Sequence, residues 1–126
     1  MCKTREICSA QEIRNAVGAV IQDVASRLTL TEETEFHIRL ILNELLANSL
    51  EHSGGHYAKL YYKLRQDVLH LCILDWGKGF HCGPGQISCP DVLAESGRGV
   101  YLVQCFCDSL RYNRQGNAVC VKIAVR

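Results

Sequence analysis

The spacing of hydrophobic residues changes at Ser53-Gly54-Gly55, and this change limits the fold more than any other feature of the sequence. Before it, apolar residues recur every three or four positions, and two capping boxes, Ser9–Glu12 and Thr29–Glu32, mark helix starts. The sequence therefore predicts one helix near residues 10–28 and a second that runs to about His52. After it, residues 57–65 alternate between apolar and polar, which predicts a strand with one solvent-facing side.

The rest of the chain continues this strand into a sheet. Residues 68–74 predict its hairpin partner across Gln66-Asp67, and two further strands are predicted at 110–114 and 118–125. Between the hairpins lie a loop over residues 77–95 and a predicted helix at 97–108. Sheets with one polar face are usually antiparallel or mixed and carry helices on a single side. We therefore predict one domain over residues 1–126, an α/β (α+β) two-layer sandwich with a mixed, mostly antiparallel sheet and helices on one face.

Composition and charge exclude several functional classes. The formal net charge is +1 and no local Lys/Arg run occurs, so we expect no nucleic-acid partner and no membrane partner. No apolar stretch approaches the ~20 residues of a membrane span, and the N-terminus has no signal-like apolar region, which indicates a cytoplasmic protein. The chain has eight cysteines without a Cys-x-x-Cys pair, and most are expected to be reduced core residues.

The second predicted helix carries Glu44 and Asn48 one turn apart inside an apolar run. They share an arc of roughly 60° with His37 and Glu51, opposite the leucine side of the helix. Asn48 offers a neutral oxygen to Mg²⁺, which takes few protein ligands beside waters and phosphates. Glu44 is placed to accept a proton from an attacking hydroxyl or water. The alternatives are a carboxamide and a carboxylate with structural roles only, and the role of His52 stays open.

Two short glycine motifs follow, Asp75-Trp-Gly77-Lys-Gly79-Phe80 and Ser96-Gly97-Arg98-Gly99-Val100. The glycines of the first permit close backbone approach to a ligand. Those of the second open a helix, whose free N–H groups bind phosphate. The Arg98 and Lys78 side chains add charge to this phosphate site or are simply solvated, and Asp75 alone would fit ordinary turn chemistry. The predicted ligand-binding residues are Asn48, Asp75, Gly77, Gly79, Gly97, Arg98 and Gly99.

In this order, the three motifs resemble the GHKL domain of histidine kinases, Hsp90-type chaperones, type II topoisomerases and mismatch-repair ATPases, which has the Bergerat-type ATP-binding fold. The closest likeness is to the anti-sigma-factor serine/threonine protein kinases. The resemblance implies that the ligands are ATP and Mg²⁺ and that the Asp75 carboxylate accepts a hydrogen bond from the adenine amine. It also implies a homodimer that binds a sigma factor and phosphorylates a serine of an antagonist (anti-anti-sigma) protein.

Two other functions remain open at this point. One is a non-catalytic module in which ATP orders the loop and switches a partner interface. The other is a detached histidine-kinase catalytic domain. The latter is disfavoured because no phosphoacceptor helical hairpin accompanies it and because only the short segment Trp76–Ser96 separates Asp75 from Gly97.

Overall fold

A computed structural model of the chain describes residues 2–52, 57–75, 102–113 and 118–125. Residues 102–106 are helical, within the predicted third helix. The other helices and strands, in chain order, are β1 (Lys3–Ile7), α1 (Ala10–Ala25), α2 (Glu32–His52), β2 (Ala58–Arg65), β3 (Val68–Asp75), β4 (Ser109–Tyr112) and β5 (Ala118–Ala124). The first two predicted helices and all four predicted strands are confirmed, with ends that shift by a few residues.

The strands form one five-stranded sheet in the order β1-β2-β3-β5-β4. Every described pair is antiparallel, so the sheet is antiparallel rather than mixed within the described strands. With helices packed on this sheet, the predicted two-layer class is confirmed. The β2–β3 hairpin closes through Gln66-Asp67 as predicted. Gln66 has a φ of 56°, a left-handed conformation that such tight hairpin turns require.

Strand β1 was not predicted from the sequence. Four of its five residues are exposed and only Ile7 is buried, so the segment shows no alternation of apolar and polar residues. It pairs antiparallel with β2, from Lys3 opposite Tyr62 to Ile7 opposite Ala58. Its position therefore depends on the hydrogen-bonding edge that β2 offers, which the local sequence does not reveal.

Helices α1 and α2 each begin at a side-chain cap, and the sequence predicted the cap of α1 correctly but not that of α2. Ser9 caps α1 as predicted, since its hydroxyl accepts a hydrogen bond from the Glu12 N–H at 3.2 Å. The predicted cap at Thr29 is wrong. Thr31 caps α2 instead, accepting from the Thr34 N–H at 3.1 Å. A start at Glu32 places three glutamates in the first turn, where the helix dipole favours negative charge.

The core lies between the helices and one face of the sheet. The apolar stripe of α1, from Ile13 to Val24, is buried there. Alternate residues of β2 and β3 point into the same core, and the intervening residues are half-buried. The largest fully buried side chains are Ile7, Val20, Val24, Ile38, Ile41, Leu42, Leu45, Leu46, Leu60, Leu69, Leu71 and Ile73.

The six described cysteines do not lie in this core. A disulfide joins Cys72 of β3 to Cys120 of β5, which are opposite in the strand register. Cys2, Cys8 and Cys105 are free and exposed, and Cys107 is free and half-buried. The expectation of reduced cysteines therefore holds for four of the six, but the expectation of burial is wrong. Cys72 alternates with the buried Leu71 and Ile73, so the pleat turns it away from the helices.

A polar cluster ties β1, α1 and β2 together at the edge of the core. The Asp23 carboxylate accepts hydrogen bonds from the Tyr62 hydroxyl and from Lys3 Nζ, the latter at 2.9 Å. These two bonds, the Tyr62 bond foremost, lower the pKa of Asp23 below its usual range. Burial of the Tyr62 ring and its bond to Asp23 raise the pKa of Tyr62 to about 12.

We expect Asp23→Asn to lower the free energy of unfolding at neutral pH by about 1 kcal/mol or less, since water screens a side chain that is 34% exposed. Because folding depresses the pKa of Asp23, its contribution is lost as the pH falls below 3.8. Because folding raises the pKa of Tyr62, the neutral phenol's contribution is lost as the pH rises from 10 to about 12. Urea unfolding of wild type and variant across this range checks the prediction. A stability difference that stays constant at both extremes would contradict it.

Candidate functional site

Three polar or charged side chains are buried in the described part of the chain: Asn48, Ser49 and Asp75. Asn48 and Asp75 are two of the residues that the sequence assigns to the ligand site. Burying a polar group costs free energy unless a hydrogen bond or ligand compensates for it. Two of the three buried polar residues in the described part of the chain therefore belong to the predicted ligand site.

Asn48 is the residue whose surroundings point most directly to a ligand. It is 4% exposed, and its Nδ2 atom is buried without a hydrogen-bond partner among the described residues. A buried amide left unpaired costs about 1–3 kcal/mol. The two orientations of a carboxamide present either the nitrogen or the oxygen at the same place. The side chain is therefore suited to donate to a phosphate oxygen or, with the amide reversed, to ligate a cation.

Glu44 lies one helical turn before Asn48 and is half-buried. Side chains four residues apart on a helix are neighbours, with Cβ atoms about 6 Å apart. No hydrogen bond or ion pair engages the Glu44 carboxylate within the described residues. By contrast, Glu35 on the same helix pairs with Arg39 at 3.2 Å, and Glu12 accepts a hydrogen bond from the Cys8 N–H. The contacts of Glu44 thus do not assign it a structural role.

Asp75 is the last residue of β3, is 3% exposed, and lies opposite Ala58, the first residue of β2. Residues 53–57 alone separate Ala58 from the end of α2 at His52, a distance of at most about 20 Å. Helix α2 also packs against β2 and β3. The connection therefore brings Asp75 to the end of the sheet at which α2 terminates, on the side of Glu44 and Asn48.

The family model of the histidine kinase-like ATPase domain matches residues 9–123, nearly the whole chain. The chain belongs to the histidine kinase-like ATPase family. No curated protein matches it. Membership agrees with the α/β fold described above and indicates that the domain binds ATP.

The helical segment 102–106 follows the second glycine motif of this ATPase domain in sequence, and it packs on α2. The Phe106 ring stacks on the His37 ring, with centroids 4.6 Å apart, and Val103 is buried in the core. His37, which the sequence places on the polar face of α2, is thus covered by an aromatic ring. Of the other residues on that face, Glu51 is exposed, Glu44 is half-buried and Asn48 is buried.

The remaining predicted site residues lie outside the described residues: Gly77, Gly79, Gly97, Arg98 and Gly99. The side chain of His52 is likewise outside them. Within the described ranges, no group of three or more His, Cys, Asp or Glu side chains is placed to hold a metal ion. None of the described helices is both long and apolar enough to cross a membrane.

Proposed function

We propose that this ATPase-family domain is an ATP- and Mg²⁺-dependent serine/threonine protein kinase of the anti-sigma-factor type. It would act in the cytoplasm as a homodimer, bind a sigma factor, and phosphorylate a serine of an antagonist (anti-anti-sigma) protein. The observation that carries the proposal is the pair on α2. Within the described residues, the buried Asn48 amide nitrogen has no hydrogen-bond partner, and the half-buried Glu44 carboxylate one turn earlier is not engaged by a hydrogen bond or ion pair.

Asn48 would hold the magnesium ion of Mg-ATP through its amide oxygen. The ion supplies charge neutralisation on the phosphates when it is bound. A neutral carboxamide suits this position because the phosphates already carry the negative charge that the cation needs. A phosphate oxygen of the same nucleotide would accept a hydrogen bond from the Asn48 nitrogen, which has no partner among the described residues, and that bond would remove the cost of burying the nitrogen unpaired.

Glu44 would accept the proton of the attacking serine hydroxyl. The serine oxygen then forms a bond to the γ-phosphorus while the bond to the β,γ-bridging oxygen breaks, and ADP leaves with that oxygen. The products are phosphoserine, ADP and a proton held on Glu44. A half-buried carboxylate fits this role because it is open to a protein substrate and is not engaged by a neighbouring cation within the described residues.

Asp75 would select adenine. Its buried carboxylate accepts a hydrogen bond from the exocyclic amine of adenine, whereas guanine presents an oxygen acceptor at the equivalent position. Water cannot compensate for a mismatch at a side chain that is 3% exposed. Selectivity for ATP over GTP follows from that burial.

We expect ATP to bind only weakly without Mg²⁺ and expect Asn48→Ala to weaken Mg-ATP binding by about 10- to 100-fold, as for the loss of a hydrogen bond to a charged group. Asn43→Ala is the matched control, because Asn43 lies on the same helix, is exposed, and donates only to the Arg39 carbonyl at 2.8 Å. Titration calorimetry with and without Mg²⁺ measures these affinities.

The unpaired amide gives this test an internal check. Because Asn48 Nδ2 makes no hydrogen bond within the described residues and its burial costs free energy, Asn48→Ala should leave the unliganded protein at least as stable as the wild type. Equal ATP affinity with and without Mg²⁺, and in the variant, would remove the metal role from Asn48. A large loss of stability in the unliganded variant would instead show that Asn48 serves the fold.

A further inference from the structure

The face of the sheet that points away from the helices is strongly basic, although the sequence contains no Lys/Arg run. We call it the outer face, and its cationic residues are Lys59, Lys63, Arg65, Arg111 and Lys122, with the imidazole of His70 among them. Antiparallel pairing places Lys63, His70 and Lys122 side by side on three adjacent strands. Arg111 lies opposite Cys120, one step along β5 from this row on the same face.

Little negative charge compensates these cations. The two ion pairs of the described residues, Lys3–Asp23 and Arg39–Glu35, both lie elsewhere. Glu6 is on the outer face of β1, but its carboxylate accepts a hydrogen bond from the Tyr57 hydroxyl at 2.6 Å. Partial burial and the charges of Lys122, Lys63 and Arg65 lower the pKa of His70. The Asp108 carboxylate, just before β4, accepts a hydrogen bond from the Ala124 N–H at 2.6 Å. The positive charges of Lys63, Arg65 and Lys122 therefore add up to a positive electrostatic potential around His70 on the outer face.

The outer face is also partly apolar and contoured. Along β3, the half-buried Val68 and Leu74 flank the row that contains His70, and Tyr61 lies beside Cys72. A shallow cavity of about 210 Å³ opens between Lys122, Arg111 and His70. That volume accommodates a carboxylate side chain. The disulfide between Cys72 and Cys120 fixes the two strands that carry His70 and Lys122.

We propose that the outer face binds an acidic, amphipathic segment of a partner protein, with carboxylates on Lys63, Lys122 and Arg111 and apolar side chains on Tyr61, Val68 and Leu74. Charge complementarity selects this partner. A second copy packed through the same face would bring like charges together, which is unfavourable. A nucleic acid would use the cations, but stacking of bases needs several exposed aromatic rings, and the described outer face offers Tyr61 and Tyr57 only. The proposal does not depend on nucleotide binding, because this face is opposite to the helices that carry Glu44 and Asn48.

The test uses a fluorescent 18-residue peptide of glutamate and leucine, an otherwise identical peptide with glutamine for glutamate, and an 18-nucleotide single-stranded DNA. Anisotropy at low salt is expected to show binding of the glutamate peptide, little binding of the glutamine peptide, and an affinity that falls with added salt. Two-dimensional NMR of the protein should place the shifts on β2, β3 and β5 rather than on α1.

Variants decide whether the outer face is responsible. Lys63→Gln combined with Lys122→Gln should weaken the glutamate peptide by about fivefold or more, the effect of two exposed ion pairs. The control combines Arg14→Gln with Arg27→Gln, which removes the same charge from exposed positions of α1 and the turn after it. This control should change the affinity by less than about twofold. Thermal unfolding of both double variants verifies that they fold, and Arg65→Gln combined with Arg111→Gln supplies a second outer-face pair.

Several results would overturn the proposal. Equal weakening by the outer-face and control variants would show a response to net charge alone. Tighter binding of the DNA than of the glutamate peptide, lost in the same outer-face variants, would assign the face to nucleic acid. Self-association that disappears in the outer-face variants would assign it to a second copy of the chain. Absence of glutamate-peptide binding at low salt would also refute it.

Discussion

Replacing Glu44 with glutamine is expected to slow phosphoryl transfer by about 10²–10⁴-fold while ATP affinity stays within about twofold of the wild type. Glutamine keeps the shape and one hydrogen-bonding oxygen but cannot accept the hydroxyl proton as the new bond forms. The base acts only in the transition state, so its loss lowers the rate constant and not the binding of the nucleotide.

Single-turnover phosphorylation of an antagonist protein at saturating Mg-ATP measures this effect, with affinity determined separately by calorimetry. ATP hydrolysis gives a parallel readout in which water replaces the serine hydroxyl. Glu33→Gln is the matched control, because Glu33 is an exposed glutamate in the first turn of the same helix. Transfer at the wild-type rate in Glu44→Gln would show that Glu44 is not the base. A wild type that binds ATP and partners but transfers no phosphate would favour the ATP-gated binding module.

The second large effect concerns recognition of the adenine ring of ATP by Asp75. Wild type is expected to prefer ATP over GTP, and Asp75→Asn should lose about 1–3 kcal/mol of ATP binding, which is roughly 5- to 150-fold in affinity. The asparagine amide keeps one accepting oxygen but replaces the other with an N–H donor, and it removes the negative charge that strengthens a hydrogen bond from the adenine amine. At a buried position this mismatch cannot be relieved by water.

The ratio of ATP to GTP affinity is the decisive measurement for Asp75, since a purely structural carboxylate would weaken both nucleotides alike. Asp67→Asn, in the turn at the other end of β3, is the control and should leave the ratio unchanged. Thermal unfolding of Asp75→Asn separates loss of selectivity from loss of fold. Equal binding of ATP and GTP by the wild type would refute the role of Asp75 as the adenine reader.

Elements with strong local patterns could be predicted from the sequence, and elements that depend on a neighbour could not. The alternation in β2 and β3 and the apolar stripe of α1 predict burial that the structure confirms. The start of α2 was misplaced by two residues because Thr29 and Thr31 offer the same capping hydroxyl. Strand β1 was missed because its stability comes from the edge of β2 rather than from its own apolar residues.

The candidate site divides in the same way. Spacing along one helix placed Glu44 and Asn48 on a shared face, because a helix converts a separation of four residues into proximity whatever surrounds it. The same spacing placed His37 on the polar face of α2, but in the structure the Phe106 ring stacks on the His37 ring. The unpaired Asn48 amide is a property of the packed core, so no sequence pattern could show it.

The sequence by itself determined the helices, the hairpins, the two-layer class and the pair on α2, because these follow from the local periods of hydrophobic residues. Tertiary structure alone decided the edge strand, the outward position of Cys72 and the basic outer face. Lys63 and Lys122 are distant in sequence, yet both flank His70 in the sheet. Antiparallel pairing sums the charges of separate strands on one surface, and a linear sequence with a net charge of +1 contains no local trace of that sum.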